Sequence, residues 1–153
     1  MPPDYVYTLT TPEGVQQRIP IELVDDAIAI PDRFSPPAWA ALTYHQCSHC
    51  PLDKETHRYC PIALNLAYLL PESALGDSFQ TVTVEVDTPQ RQYRQTTTLQ
   101  RALSSLFGLI CALSDCPHTR FLRPMALFHL PVSTETETLT RAAGFFLLPG
   151  SLA

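Results

Sequence analysis

Charge is scarce in this chain. Only 16% of its 153 residues are Asp, Glu, Lys or Arg, well under the quarter usual for a globular protein, so Thr, Gln, Ser and Pro must carry much of the surface. The charge present leans acidic, a net −5, and the basic surplus of a general nucleic-acid binder is lacking. The arginines gather in the second half, at Arg91, Arg94, Arg101, Arg120, Arg123 and Arg141. They read as scattered solvated side chains, with a local patch for an anionic ligand or acidic partner as the alternative. Glycine is scarce too, five residues against fifteen prolines, which points to stiff connections. Long apolar runs are missing: the richest stretch, residues 99–113, is broken by Gln100, Arg101, Ser104 and Ser105, which excludes a membrane span there. The opening Met-Pro-Pro-Asp-Tyr has neither a basic leader nor an apolar run, so a signal peptide is not expected. The expected compartment is the cytoplasm, where five cysteines serve as thiols or metal ligands sooner than as disulfides. Catalytic signatures are lacking as well. There is no G-x-S-x-G, P-loop or dinucleotide glycine fingerprint, and no H-x-E…P-C-x-x-C deaminase arrangement. The balance leans away from an enzyme.

What is present reads as one α+β domain spanning residues 1–153. Residues 5–9 and 15–24 alternate apolar and polar side chains around Thr-Pro-Glu-Gly, which predicts a β-hairpin, with Pro20 confining the second strand to an edge. Residues 26–37 carry Pro31, Pro36 and Pro37 and read as a connector; residues 39–44 read as a short strand. Pro61 predicts a helix start, with Cys60 at the cap and Pro71 as the stop. Residues 79–86 alternate most cleanly, and 91–97 returns as a more polar partner, a second hairpin. Thr97-Thr-Leu-Gln100 fits a capping box before a helix to Leu113, the central core element, with Leu99, Leu103, Leu106, Phe107, Ile110 and Leu113 inward. Residues 114–118 form a loop, and 120–130 a helix broken at Pro124. A second capping box, Thr134 to Glu137, opens a last helix presenting Leu139, Ala142, Ala143, Phe146 and Leu147, ended by Pro149-Gly150. The expected fold is an antiparallel sheet from two hairpins plus the short strand, packed by three to four helices and tied by a cysteine loop.

That loop carries the chemistry. Residues 44–63 hold three of the five cysteines and three of the five histidines. The two-residue gap of Cys47 and Cys50 aims two sulfurs at one tetrahedral ion, and Cys60 can return to the same point. Cys116, in a polar loop and followed by proline like Cys50 and Cys60, is the expected fourth ligand. Cys60 at a helix N-cap meets free amides and the positive dipole end, which favour a thiolate. Cys111, inside the apolar helix, is expected to pack as a small hydrophobe. His45 is a substitute for Cys116, His118 an outer-shell group, His49 and His57 solvent-facing, and His129 a satisfied core histidine. The ligand set Cys47, Cys50, Cys60 and Cys116 suits zinc first, with an iron–sulfur cluster as the alternative because Cys-Pro steps are familiar at cluster ligands. Three functional readings follow: a structural Zn2+ site in an interaction or regulatory module with a protein partner, an iron–sulfur or thiol redox sensor, or a metal-dependent hydrolase with an open position beside Arg120, Arg123 and His129.

The phrases Cys-Ser-His-Cys-Pro-Leu from Cys47, Tyr-Cys-Pro-Ile-Ala from Tyr59, and Asp-Cys-Pro-His from Asp115 with Leu-Arg-Pro-Met-Ala-Leu-Phe-His-Leu-Pro from Leu122 resemble a group of small uncharacterised bacterial proteins. The resemblance spans about residues 44–148. It implies a bacterial, cytoplasmic chain and brings no established activity with it.

Overall fold

The computed structural model describes residues 2–70 and 75–147. Strands β1 (Tyr5–Thr10) and β2 (Gln16–Ile21) form the first hairpin, and β5 (Thr81–Asp87) and β6 (Gln92–Thr98) the second. The hairpins join through antiparallel pairing of β1 with β5, Tyr7 opposite Val86, giving a four-stranded sheet of order β2-β1-β5-β6. Pro20 lies on β2, which is an edge strand, so its missing amide costs no ladder bond to a further strand. Period-two alternation sends Tyr7, Leu9, Ile19, Ile21, Val82, Val84 and Val86 to one face, all at most 2% exposed.

That face is covered by α2 (Leu99–Leu113). Its N-cap is Thr98, one residue beyond the expected Thr97: the Thr98 hydroxyl accepts from the Arg101 amide at 3.3 Å. The start shifts because β6 runs through Thr98 and the next two amides bond back to the chain before β5, Leu99 to Gln80 O and Gln100 to Ser78 O. The buried stripe shifts with it, to Leu99, Ala102, Leu106, Leu109, Ile110 and Leu113, leaving Phe107 46% exposed.

Two expectations need correction. Residues 39–44 are not a strand: Ala38–Ala40 form a 3-10 turn after Pro37, and only Ala41 makes a β-bridge, with Tyr59. Two alanines behind a proline have little β-branched surface to hold a ladder. The strand expected over 15–24 ends at Ile21, and its last residues form β3 (Leu23–Val24), which pairs with β4 (Ala27–Ile28) of the proline-rich connector across Asp25 and Asp26, whose φ of 51° and 61° make a two-residue left-handed turn. Aspartate tolerates that region through its short polar side chain, and neither Asn-Gly nor Asp-Gly marks the turn in sequence.

Two of the remaining helices pack directly on α2. Helix α1 (Pro61–Leu69) starts at the Cys60 cap with proline in its first turn; the expected stop at Pro71 lies outside the described residues. Residues Arg120–Leu122 make a 3-10 turn that passes into α3 (Arg123–Leu127) with Pro124 in the first turn, the expected break. Helix α4 (Glu135–Leu147) opens on the reciprocal capping box: the Glu137 amide donates to the Thr134 hydroxyl at 3.1 Å and the Thr134 amide to the Glu137 carboxylate at 3.4 Å. Its end at Pro149-Gly150 lies outside the described residues. None of its described residues is buried, because α4 rests on α3 as an outer layer. Thr134→Ala should therefore lower unfolding free energy by about 1 kcal/mol, measured by urea titration; an unchanged midpoint would show the box does not hold α4. No helix among the described residues is long and apolar enough to cross a membrane.

Candidate metal centre

The cysteines lie at the end of the molecule where α1 begins and α2 ends. The loop from Leu42 to Tyr59 is pinched at its neck: Ala41 bridges Tyr59, the Leu42 amide donates to Arg58 O at 3.0 Å, and the Cys60 amide to Ala40 O at 3.0 Å. Leu42 is the one buried residue it supplies among the described set. Past the neck, Thr43 through His49 are all exposed, and His45 takes a left-handed φ of 50° that turns the chain into Cys47. The Cys50 amide donates to Cys47 O at 3.0 Å, so the two-residue gap closes the expected tight turn. The rest is local: Asp53 O accepts from the Thr56 and His57 amides, and the Gln46 side chain reaches Leu52 O.

One contact carries this turn to the far part of the chain. His118 Nε2 donates to the carbonyl of His49 at 3.0 Å, and the two rings meet edge to face with centroids 4.6 Å apart. The loop after α2 is itself well anchored. The Thr119 hydroxyl donates to Cys111 O at 2.7 Å, the Thr119 and Arg120 amides donate to Cys116 O, and the Cys116 amide reaches the Ser114 hydroxyl at 3.4 Å. Arg123 clamps it from α3, donating to the Asp115 carboxylate at 2.6 Å and to Ser114 O at 3.3 Å.

All five cysteines are free thiols. Cys47 is exposed; Cys50, Cys60, Cys111 and Cys116 are half-buried. Cys60 is the N-cap of α1 with extended φ and ψ and no side-chain cap bond, which leaves its sulfur uncommitted. Cys111 is not the core residue expected from its helical position. It lies on the half-covered side of α2, and burial pushes its thiol up to about 11, with the nearby Cys116 and Cys60 adding to the rise. Cys60 and Cys116 are thus both within electrostatic reach of Cys111. The sequence signal for Cys111 was its place around the helix, about 100° on from Ile110 and away from the Leu106, Leu109, Ile110, Leu113 stripe. Even so, among the described residues no three Cys, His, Asp or Glu side chains are grouped to hold a metal ion.

The histidines divide clearly. His45, His49 and His57 are exposed, and His57 bonds the Thr56 hydroxyl through Nδ1 at 2.9 Å. His129 belongs to a separate buried group. Its Nε2 lies 2.5 Å from the Tyr7 hydroxyl, which also meets the Ser105 hydroxyl at 3.0 Å; Ser105 in turn accepts the Val132 amide at 2.8 Å. Burial, with Arg141 second, lowers the His129 pKa to about 4, so the neutral ring accepts and Tyr7, whose own pKa burial raises, donates. Arg120 and Arg123 are not among the residues lining the cavity beside His129.

Curated proteins and solved structures give no match to this chain. A family profile, the domain of unknown function DUF6901, matches residues 4–151, both hairpins and every cysteine included, and the chain belongs to that family.

Proposed function

We propose that the loop around Cys47 and Cys50 is closed onto the end of α2 by a metal ion held by Cys47, Cys50, Cys60 and Cys116, zinc first, in a cytoplasmic interaction or regulatory module. The observation that carries it is the His118–His49 bond, which lays the Cys47–Cys50 turn against the Cys116 loop. The donor chemistry fits: soft sulfur ligands on three segments, with a helix cap under Cys60 that favours its thiolate. The energetics of the loop support it too. Fifteen irregular residues past the neck bury almost no apolar surface, and ordering them costs about 1 kcal/mol or more per residue that hydrophobic contact does not offset. An ion that takes up four sulfurs would offset it. Closure requires the Cys47–Cys50 turn to rotate its side chains inward, and since Cys47 is exposed and Cys50 only half-buried, neither has core packing to break. An iron–sulfur cluster on the same sulfurs is the second reading, favoured by proline after Cys50, Cys60 and Cys116.

Protein purified without air should contain one equivalent of zinc and be colourless, and cobalt exchanged into it should show the intense visible bands of a tetrahedral thiolate site. A brown preparation containing iron and acid-labile sulfide establishes the cluster instead. Metal-free protein that takes up neither ion overturns both.

A further inference from the structure

Alongside α2, from Arg101 to Ala112, α3 and the start of α4 border a cavity of about 490 Å3, within the range of small-molecule sites. Its walls are mainly apolar, with Leu109, Leu122, Met125 and Val132 among them. Its floor holds the Ser105 hydroxyl and His129. Two features set it apart from a packing defect. The first is charge. In a chain of net charge −5, the described lining residues include Arg101 and Arg141 and no carboxylate. Arg101 is exposed and makes no ion pair among the described residues. Arg141 uses Nη2 on the carbonyls of Met125 and Phe128, which fixes its position at the wall and leaves other N–H donors of the guanidinium for a ligand. The second is Gly108. A mid-helix glycine costs about 1 kcal/mol relative to alanine. A Cβ placed there would meet nothing within 4 Å, so no neighbouring backbone demands the glycine. Its visible consequence is a gap in the α2 wall of the cavity. The lining also contains Val132 at φ 52°, between α3 and α4, a β-branched residue in the left-handed region whose amide donates to the Ser105 hydroxyl.

We infer that this cavity binds a small molecule with an apolar body and one anionic head, a medium-chain carboxylate, with the chain against Leu109, Leu122 and Met125 and the head at Arg101 and Arg141. An apolar pocket with a few fixed polar groups is the usual form of such a site. Charge-assisted bonds from arginine would set its preference for an anion.

The test is calorimetric titration of the purified chain with decanoate below its micelle concentration, and with decan-1-ol. Decanoate should bind one to one. Arg101→Gln should weaken decanoate about tenfold and leave decanol unchanged, the fold-change of one charge-assisted bond. Gly108→Leu, and independently Ser104→Phe at the exposed rim, should abolish both, with far-UV circular dichroism confirming the fold. Decanol binding as tightly as decanoate, or decanoate binding unchanged in both plugged variants, overturns the inference. So does a chain that ignores decanoate and instead co-sediments with phosphatidylglycerol vesicles, the other source of an anionic head on an apolar chain.

Discussion

Cys60→Ser and Cys116→Ser should each lower metal content to well under one equivalent and destabilise the fold together, while Cys111→Ser should retain the metal. The expected loss is large because a structural ion is bound only by the folded chain, so its binding free energy adds to folding; in small zinc peptides that term is about ten kcal/mol or more. This chain has its own core, so part of the loss is confined to the loop. The sheet face and α2 stay packed through Tyr7, Leu9, Val84, Leu106 and Ile110, all at most 2% exposed. A fall of several kcal/mol should appear as a drop in Tm of about 10 °C, measured by calorimetry at fixed metal concentration. Site geometry makes a further distinction. Removing the sulfur at Cys60 should release the neck of the loop, so hydrogen exchange should speed up at Leu42 and Cys60, whose amides bond Arg58 and Ala40. Removing Cys116 should leave that neck intact and free the His118–His49 contact instead. Full metal occupancy in both variants would exclude this ligand set.

The sheet was the most legible part of the sequence. Val82, Val84 and Val86 alternate against polar partners, and a one-residue slip would expose all three, so pattern and register agree. The Thr134–Glu137 box was legible for the same reason, since two side chains three residues apart satisfy each other with no outside partner. Where the reading failed, the deciding contact was remote in sequence. The N-terminus of α2 is set one residue late by amides that bond residues 78 and 80. The stretch at 39–44 has its fate decided by residues 58–60. The Asp25-Asp26 turn depends on left-handed backbone that aspartate permits without advertising. In the candidate site, Cys-x-x-Cys does form its turn. Cys111 was misread because an apolar helix hides which of its sides the sheet leaves open, and a fifteen-residue stripe rotated by one position moves a thiol from core to corner. The Tyr7–Ser105–His129 group was invisible, because three single polar residues on a strand, a helix and a loop have no spacing to read.

That group gives the protein an acid limit. His129 is held neutral in the folded chain, its pKa lowered from 6.5 to about 4, first by burial and then by Arg141. The unfolded chain takes up a proton at this residue as pH falls through 6.5; the native chain does not until about 4. Stability is therefore fully present above the unfolded value and falls as pH drops through this window, by about 3 kcal/mol in all. Carboxylates add their own acid response, so the wild-type curve alone does not isolate the effect. His129→Gln does, because its amide oxygen can still accept from the Tyr7 hydroxyl while nothing at that position titrates. At pH 7.5 the variant should be the less stable, through imperfect packing beside Tyr5, whose ring meets His129 edge to face at 6.3 Å. On acidification the two urea midpoints should converge and near pH 4 approach or cross. Parallel curves from pH 7.5 to 4 would mean that His129 takes up its proton at the same pH in the native and unfolded chains, and that below this pH the ring donates to the Tyr7 hydroxyl, which then donates to Ser105.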